Sequence, residues 1–335
     1  MNIARSDNIL GRRQSSSHPP KLWVRLLVSV VIALFAASAC YFKMMAWGNA
    51  DDFRYYWLAA RALTEGHSPY AVVQAGGIHQ LAAGFLYPLP AAILIVPFVY
   101  LTPIHGATAF VAVSSGLLAW GLSKDGFQRF PVFGTMPFLW AVTSGQFSPL
   151  IMAAALIPML GFVLPAKPNL GLASFAAYAN RRALLGCMLI LIFSLLLQPS
   201  WPNEWLHELK GRTPGNYGSP MFLVGGFAML AALLRWRRSD ARLLVAMSIL
   251  PQSLLFYDQL PLWLIPETRT ESAVLGLTSY VGWFLASQFI HGSTSDVSKV
   301  YGPAILLTIY FPCLVMILLR PNSAASTRSR AEAGQ

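Results

Sequence analysis

Long apolar runs separated by short polar segments fill the chain between residues 22 and 319. A segment inside a bilayer must satisfy its own backbone hydrogen bonds, so each run is predicted to be a helix. The pattern therefore predicts an all-α, polytopic transmembrane helical bundle of about 10–12 spans. The runs lie at about 22–42, 85–101, 105–122, 131–143, 147–164, 167–179, 183–198, 221–234, 243–256, 258–266, 272–290 and 301–319.

Two stretches leave the number of spans open. Only Ser144, Gly145 and Gln146 interrupt residues 131–164, which form either two short spans or one broken, re-entrant unit. The run at 258–266 is short for a span.

Polar, Ser- and Arg-rich or basic segments lie at both ends of the chain. They predict disordered cytoplasmic tails over residues 1–20 and 321–335, on either side of one transmembrane domain over 21–320. The basic start followed by an apolar run is similar to a signal peptide. Because many more apolar runs follow, an uncleaved first helix is the better interpretation.

Composition supports a membrane protein and changes the meaning of the positive charge. The chain is 56% hydrophobic and 11% charged, against about 25% charged residues in soluble domains. Its formal charge of +11 would suggest nucleic-acid binding in a soluble protein. Here the basic residues cluster between apolar runs, as in the positive-inside pattern, so no nucleic-acid partner is predicted.

Counting crossings from a cytoplasmic amino terminus assigns each loop to a side. Residues 181–182, 235–242, 267–271 and the carboxy-terminal tail fall inside, whereas 43–84, 123–130, 165–168, 199–220 and 291–300 fall outside. Lys124 and Arg129 disagree mildly with this count, because they place positive charge outside.

The segment 50–70 concentrates polar groups directly after the first apolar run. It contains Asp51, Asp52, Arg54 and Arg61 among several aromatic residues. Residues 53–65 have helical composition and end at a glycine, which predicts a short helix lying in the membrane interface. Polar groups beside a membrane span are costly unless they serve a function, so this segment is the first candidate site.

A metal or disulfide framework is not predicted. Cys40, Cys187 and Cys313 all lie in apolar runs without metal-site spacing, which is typical of buried thiols. Glu204, His207 and Glu208 have helical spacing, but no second histidine lies nearby in the sequence. A solvated helix is the better interpretation of that group.

A series of motifs runs along residues 50–180, namely Asp52-Phe53-x-x-Tyr56, Ala59-Ala60-x-Ala62-Leu63-x-x-Gly66-x-x-Pro69-Tyr70, Phe85-x-Tyr87-Pro88-x-Pro90, Gly145-Gln146-x-Ser148 and Lys167-Pro168. In order and spacing these motifs resemble glycosyltransferase family 87, whose members are similar to polyprenyl-phosphate-mannose-dependent mannosyltransferases and have the GT-C membrane fold.

The resemblance implies an integral glycosyltransferase of the bacterial inner membrane. Such an enzyme moves a hexose, mannose being the expected one, from a polyprenyl-phosphate donor to a glycan or glycolipid acceptor at the extracytoplasmic face, with inversion. Both termini are then cytoplasmic, and the partners are the lipid-linked donor, the acceptor and membrane lipid. No cofactor is implied, since the donor is itself a substrate.

The family register selects Asp52 as the general base on the acceptor hydroxyl. Asp51 is its solvated neighbour, whose charge can raise the pKa of the base. For both carboxylates the alternative is an N-cap of the following helix, and capping does not exclude catalysis.

The other site residues are expected to contact substrate. Lys167 is either a ligand of the donor phosphate or a snorkelling lysine. Arg54 and Arg61 can bind phosphate too, although a solvated interfacial face suits each better. Tyr56 either orients the loop or stacks on sugar. The remaining members are Tyr87, Gln146, which can instead join a helix pair, and Asp258, which is an acceptor contact or a structural cap.

Two other functions remain compatible with the sequence. A transporter or flippase of a lipid-linked sugar would use the same cavity without a base. A non-catalytic relative would keep only the GT-C fold.

Overall fold

Helices form nearly all the regular structure in the computed structural model, which describes residues 20–77, 79, 81–210, 218–289 and 297–320. Within these ranges no strand forms, and two isolated bridges join Ala75 to Leu81 and Gly218 to Gln252. The all-α prediction is confirmed for this part of the chain. The predicted tails lie outside the described residues, apart from Pro20.

The helices differ widely in length and type. The α-helices are α1 (Leu22–Trp47), α2 (Phe53–Thr64), α3 (Pro69–Val72), α4 (Leu89–Ile95), α5 (Pro103–Leu122), α6 (Met136–Thr143), α7 (Ser148–Leu156), α8 (Pro168–Ala177), α9 (Arg181–Leu197), α10 (Trp201–Lys210), α11 (Ser239–Ile249), α12 (Arg269–Ser287), α13 (Val297–Ile305) and α14 (Phe311–Leu318). A π-helical turn, Leu306–Tyr310, joins the last two, and 3-10 helices cover Val96–Phe98, Ser123–Asp125, Phe130–Gly134, Pro158–Ala166, Pro220–Phe222, Gly226–Arg235 and Phe256–Leu264.

Three helices among the described residues are long and apolar enough to cross a membrane, namely Leu22–Trp47, Pro103–Asp125 and Lys299–Leu318. The number rises to five if each of two sharply bent helix pairs counts as one span. These candidate spans are compatible with a helical membrane protein, and they are fewer than the predicted ten to twelve.

Helix length explains the smaller number of spans. A hydrocarbon core about 30 Å thick needs about 20 helical residues, whereas α8 has 10 residues. Two of the apolar runs form 3-10 helices with an internal proline, Pro165 and Pro261. Proline removes a backbone donor and interrupts regular helix, so an apolar run containing it need not be a full crossing.

Helices α1 and α5 pack antiparallel and correct the predicted sidedness of residues 123–130. Near the start of α1, the Arg25 guanidinium donates to the Ser123 hydroxyl (3.2 Å) and to the Trp120 carbonyl (2.9 Å). Farther along α1, the ring of Tyr41 lies 5.9 Å from that of His105, near the start of α5.

Residues 123–130 therefore lie at the same end as Arg25, not at the opposite end as predicted. The cause is the short segment Leu89–Phe98, which has ten residues and does not reach the length of a crossing. Removing that crossing also removes the disagreement of Lys124 and Arg129 with the positive-inside pattern.

An ionic cluster marks this end of the bundle, which we call the basic end. The carboxylate of Asp240 accepts from Arg238 (2.9 Å) and from Arg320 (2.8 Å). Glu267 pairs with Arg238 at 2.5 Å, and Glu271 pairs with Arg320 at 2.6 Å. The loop 235–242, the turn 267–271 and the end of α14 thus meet, as the common side predicted for them requires.

The two short helices α6 and α7 are bent by 117° at residues 144–147. The sequence left open whether residues 131–164 form two short spans or one broken, re-entrant unit. The bend corresponds to the broken unit. Gly145 has a φ of +66° at the bend, and a Cβ there would lie 2.6 Å from the Cβ of Phe53. Glycine is required by both the left-handed conformation and the close approach of α2.

Helix α2 forms where it was predicted, but it does not lie on the bundle surface. Phe53, Tyr56, Ala59 and Ala60 have no exposed surface, and the helix packs against α3, α4 and α5. The helix turned along the surface is α10, which is bent by 94° from α9 and exposes 47% of Leu206.

Candidate active site at the Asp52 end

Asp52 lies at the end of the bundle opposite the basic end, immediately before α2. Its position is that of the N-cap, yet its side chain makes no capping hydrogen bond and its backbone is helical. The carboxylate instead accepts a hydrogen bond of 2.5 Å from the side-chain amide of Gln146. The capping alternative is therefore wrong for Asp52.

Gln146 is the centre of the site and is completely buried. Its amide nitrogen donates to Asp52, and its carbonyl oxygen accepts from the Tyr56 hydroxyl and from the Lys167 ammonium, both at 3.2 Å. The bend between α6 and α7 turns this side chain toward α2. These partners fix the orientation of the amide, because a flipped Gln146 would place two donors toward Lys167.

Lys167 connects this amide to a second carboxylate. Its Nζ lies 2.5 Å from Asp258 Oδ1, while the Ser253 hydroxyl donates to Asp258 Oδ2 at 2.5 Å. The ammonium also lies 4.8 Å from the centre of the Tyr257 ring. Lys167 is only 6% exposed, so it does not snorkel to a surface.

Asp51 is held next to this network by different partners. It forms an ion pair with Lys43, near the end of α1, and accepts a hydrogen bond of 3.3 Å from the Ser144 hydroxyl. Its φ of 47° is left-handed, which is uncommon outside glycine. Lys43 was missed in the sequence, although a lysine in the last turns of an apolar helix was an available signal.

An aromatic cluster supports the network from one side. The Tyr56 ring lies 4.5 Å from that of Tyr87 and 5.0 Å from that of Phe147. Phe110 packs on Phe147 at 5.0 Å. The cluster fixes Tyr56 in place and brings Tyr87 into contact with the site.

The two arginines of α2 make their contacts elsewhere. Arg54 donates to the His79 carbonyl at 3.1 Å. Arg61 pairs with Glu65 at 2.8 Å, with 55% of its side chain exposed. Neither hydrogen bond joins the network of Asp52, Gln146 and Lys167.

The surroundings of Asp52 change its acidity. Burial raises the pKa of Asp52 to about 6, from an ordinary value of 3.8, and the charge of Asp51 adds to the rise. Lys167, the hydrogen bond from Gln146, and Lys43 act in the opposite direction and only partly offset it. A carboxyl group with this pKa is ionised at neutral pH and is a stronger base than an exposed aspartate.

No metal-binding cluster of His, Cys, Asp or Glu occurs within the described ranges. Glu204 instead accepts hydrogen bonds from Ser68 and Ser200, both at 2.5 Å, and from Gln198 at 3.0 Å. The bond from Ser68 connects α10 to the segment before α3.

Together, the fold and the site define an all-helical protein with candidate membrane spans and a buried network of acid, amide and lysine. Six of the nine residues selected from the sequence belong to it or pack directly on it: Asp52, Tyr56, Tyr87, Gln146, Lys167 and Asp258. In comparisons with known proteins, no family model, curated protein or solved structure matches this chain.

Proposed function

We propose that the chain is an integral membrane glycosyltransferase that uses a polyprenyl-phosphate-linked hexose, with Asp52 as the general base. The observation that carries the proposal is the hydrogen-bonded series from Asp52 through Gln146 and Lys167 to Asp258. These residues are far apart in the sequence, and the sequence alone predicts each of them as a site residue. Their convergence on a carboxyl group of raised pKa supports a reactive centre.

The reaction needs one base and a good leaving group. The acceptor hydroxyl gives its proton to Asp52 as its oxygen attacks the anomeric carbon, and the bond to the polyprenyl phosphate breaks on the opposite face of the sugar. Inversion follows from this single displacement. The phosphate leaves as an anion, so the step requires no general acid.

Gln146 and Lys167 position the base in this proposal. The amide of Gln146 holds Asp52 Oδ2, which leaves Oδ1 as the oxygen for the acceptor proton. The Lys167 ammonium faces Gln146, Asp258 and the Tyr257 ring. Its charge is therefore used inside the protein, where it pairs with Asp258 and orients Gln146.

Lys43 is the better cation for the donor phosphate. Its side chain is 22% exposed, compared with 8% for Lys167, and its ion pair with Asp51 places it beside the base. We infer an extracytoplasmic Asp52 end, because the arginine-rich opposite end follows the cytoplasmic pattern of positive charge. The acceptor is a glycan or glycolipid reached from that side.

The test is transfer of radiolabelled mannose from polyprenyl-phosphate-mannose by purified protein. Asp52→Asn keeps the size of the side chain and removes the base, and we expect a loss of about 10²- to 10⁴-fold in rate. Asp125→Asn is the matched control, since Asp125 is exposed and lies beyond α5 at the other end. An Asp52→Asn protein with the wild-type rate overturns the assignment.

A transport assay separates this function from flipping of the lipid-linked sugar. Vesicles containing the wild-type protein and labelled donor, without acceptor, should show no protein-dependent movement of label between leaflets. Movement that Asp52→Asn leaves unchanged would favour the transporter.

A further inference from the structure

A polar cavity of about 310 Å³ opens at the basic end and is remote from Asp52. Three arginines line it, Arg129, Arg237 and Arg238, together with Tyr178, the first turn of α11 and residues 264–267. The lining comes from four separate parts of the sequence, which the fold brings around one space. The proposed transferase reaction uses none of them.

The two acids that line this cavity are already neutralised. Asp240 accepts from Arg238 and Arg320, and its own helix adds the Ala241 amide at 2.9 Å. Glu267 pairs with Arg238 at 2.5 Å and with Arg320 at 3.6 Å. The ionic cluster therefore has no carboxylate left over for the remaining arginines.

Arg129 and Arg237 retain donors that face no acid among the residues that the structure describes. Arg129 uses its Nε for the Pro266 carbonyl, at 2.9 Å. Arg237 stacks 5.9 Å from the centre of the Trp236 ring, and within the described part of the chain its guanidinium has no hydrogen-bond partner. Two guanidinium groups with unused N–H donors form a strong site for a phosphate oxygen.

The surface beside the cavity is apolar. Trp236 and Phe227 are each 59% exposed, and Leu233 is 49% exposed. These residues lie on or directly after the 3-10 helix Gly226–Arg235, which leads to Arg237. An exposed tryptophan next to a basic residue is typical of the headgroup layer of a membrane, so the cavity is reached from lipid.

We propose that this cavity binds the phosphate of an anionic phospholipid headgroup, with Arg129 and Arg237 as ligands and Trp236 against the lipid backbone. Basic pockets at the positively charged side of membrane proteins recognise such headgroups. The lipid would tie the loop 235–242 to residues 123–130.

The experiment uses the purified full chain in mixed micelles containing equal amounts of phosphatidylglycerol and phosphatidylcholine. Native mass spectrometry gives the ratio of the two bound lipids. We expect wild-type protein to prefer phosphatidylglycerol, and Arg237→Gln to reduce that preference about fivefold, the factor for one basic residue at a membrane surface. Arg182→Gln, at an exposed arginine beginning α9, should keep it.

Thermal melts make the result independent of folding. Arg237 is exposed, and its guanidinium has no hydrogen bond to any described residue. Arg237→Gln should therefore melt at the same temperature as wild-type protein in the absence of phosphatidylglycerol. Equal binding of the two lipids by wild type, or an unchanged preference in Arg237→Gln, overturns the proposal. Stabilisation by inorganic phosphate that Arg237→Gln abolishes, without a lipid preference, would overturn the lipid assignment and make the ligand a soluble phosphate.

Discussion

Asp240 at the basic end and Asp52 at the opposite end of the bundle are held in opposite ways. At the basic end, burial alone would raise the pKa of Asp240, but the hydrogen bonds and charge of Arg238, with Arg320, outweigh it and lower that pKa. At the other end, burial and the charge of Asp51 raise the pKa of Asp52 to about 6. Asp240 forms ion pairs with two guanidinium groups, whereas Asp52 accepts its hydrogen bond from the neutral amide of Gln146.

The two ends of the bundle also differ in their backbone conformations. Asp51 and Leu254, the two non-glycine residues with positive φ in the described part of the chain, each lie within a few residues of a network member. At the basic end, the sharp turn before α12 instead has a regular capping box between Thr268 and Glu271. Unusual backbone conformations concentrate where function constrains the chain, so the difference supports the proposal of a reactive site at the Asp52 end.

The largest expected effect is on the buried pair of Lys167 and Asp258. Lys167→Met leaves Asp258 as a buried, uncompensated charge, and should lower the free energy of unfolding by about 3–5 kcal/mol. The measurement is unfolding in mixed micelles followed by circular dichroism.

Two control variants sharpen this prediction. The double variant Lys167→Met/Asp258→Leu should recover most of the loss, because it removes both charges. Arg61→Met, in an exposed pair, should change stability by less than about 0.5 kcal/mol. A double variant as unstable as Lys167→Met would show that the lysine contributes by packing rather than by charge.

The second effect concerns the irregular backbone at the Asp52 end. Gly145→Ala adds a Cβ at 2.6 Å from the Cβ of Phe53 in a left-handed conformation, and should cost about 2–3 kcal/mol. Gly48→Ala is the matched control, since Gly48 has a φ of +68° but nothing near its Cβ position. An equal loss of stability in both variants would show that the cost comes from the left-handed backbone alone and not from contact with Phe53.

The third effect tests whether Arg238 and Arg320 both neutralise Asp240 in the ionic cluster. Arg320→Gln removes ion pairs to Asp240 and Glu271, yet Arg238 continues to neutralise Asp240. We therefore expect a loss of about 2 kcal/mol in the free energy of unfolding, smaller than that of Lys167→Met. A loss as large as that of Lys167→Met would contradict the shared neutralisation.

The smallest effect is a difference in the sign of the pH dependence. Between about pH 6 and about pH 4, folded Asp52 holds a proton that the unfolded chain has released. Lowering the pH through this window should therefore stabilise wild-type protein relative to Asp52→Asn.

Asp240 should behave in the opposite sense. Its pKa is lowered from 3.8, so its contribution is present above that value and is lost as the pH falls below it. Wild-type protein should lose its advantage over Asp240→Asn in that acid range. Parallel pH profiles of the two differences would remove the contrast between the ends.

Much of the site could be predicted from the sequence because its residues stand out chemically. Asp52, Gln146 and Lys167 are polar residues in or beside apolar runs, and such residues need a partner. Lys43 and Ser253 escaped notice because a lysine ending a helix and a serine in a loop are ordinary. Their roles depend on Asp51 and Asp258, which approach them only in the folded chain.

The number of spans was predicted less well for a related reason. Hydropathy predicts that a segment such as 258–266 is buried away from water. It does not distinguish burial in the protein interior from burial in lipid, because both surroundings are apolar. Pro261 and the buried position of every residue in Phe256–Leu264 make this segment part of the protein interior. For the same reason, the sequence did not reveal that α2 is buried in the protein rather than lying in the membrane interface.

The sequence by itself determined that the chain is helical and apolar, which end of the bundle is rich in arginine, and which polar residues require explanation. These properties follow from composition and from local rules on proline, glycine and charge. Only the tertiary structure decided that Asp52 accepts a hydrogen bond from Gln146 rather than capping α2, and that Lys167 forms an ion pair with Asp258. It also decided that residues 123–130 lie at the same end of the bundle as Arg25. Each of these depends on contacts between distant segments, whose geometry is set by packing of the whole bundle.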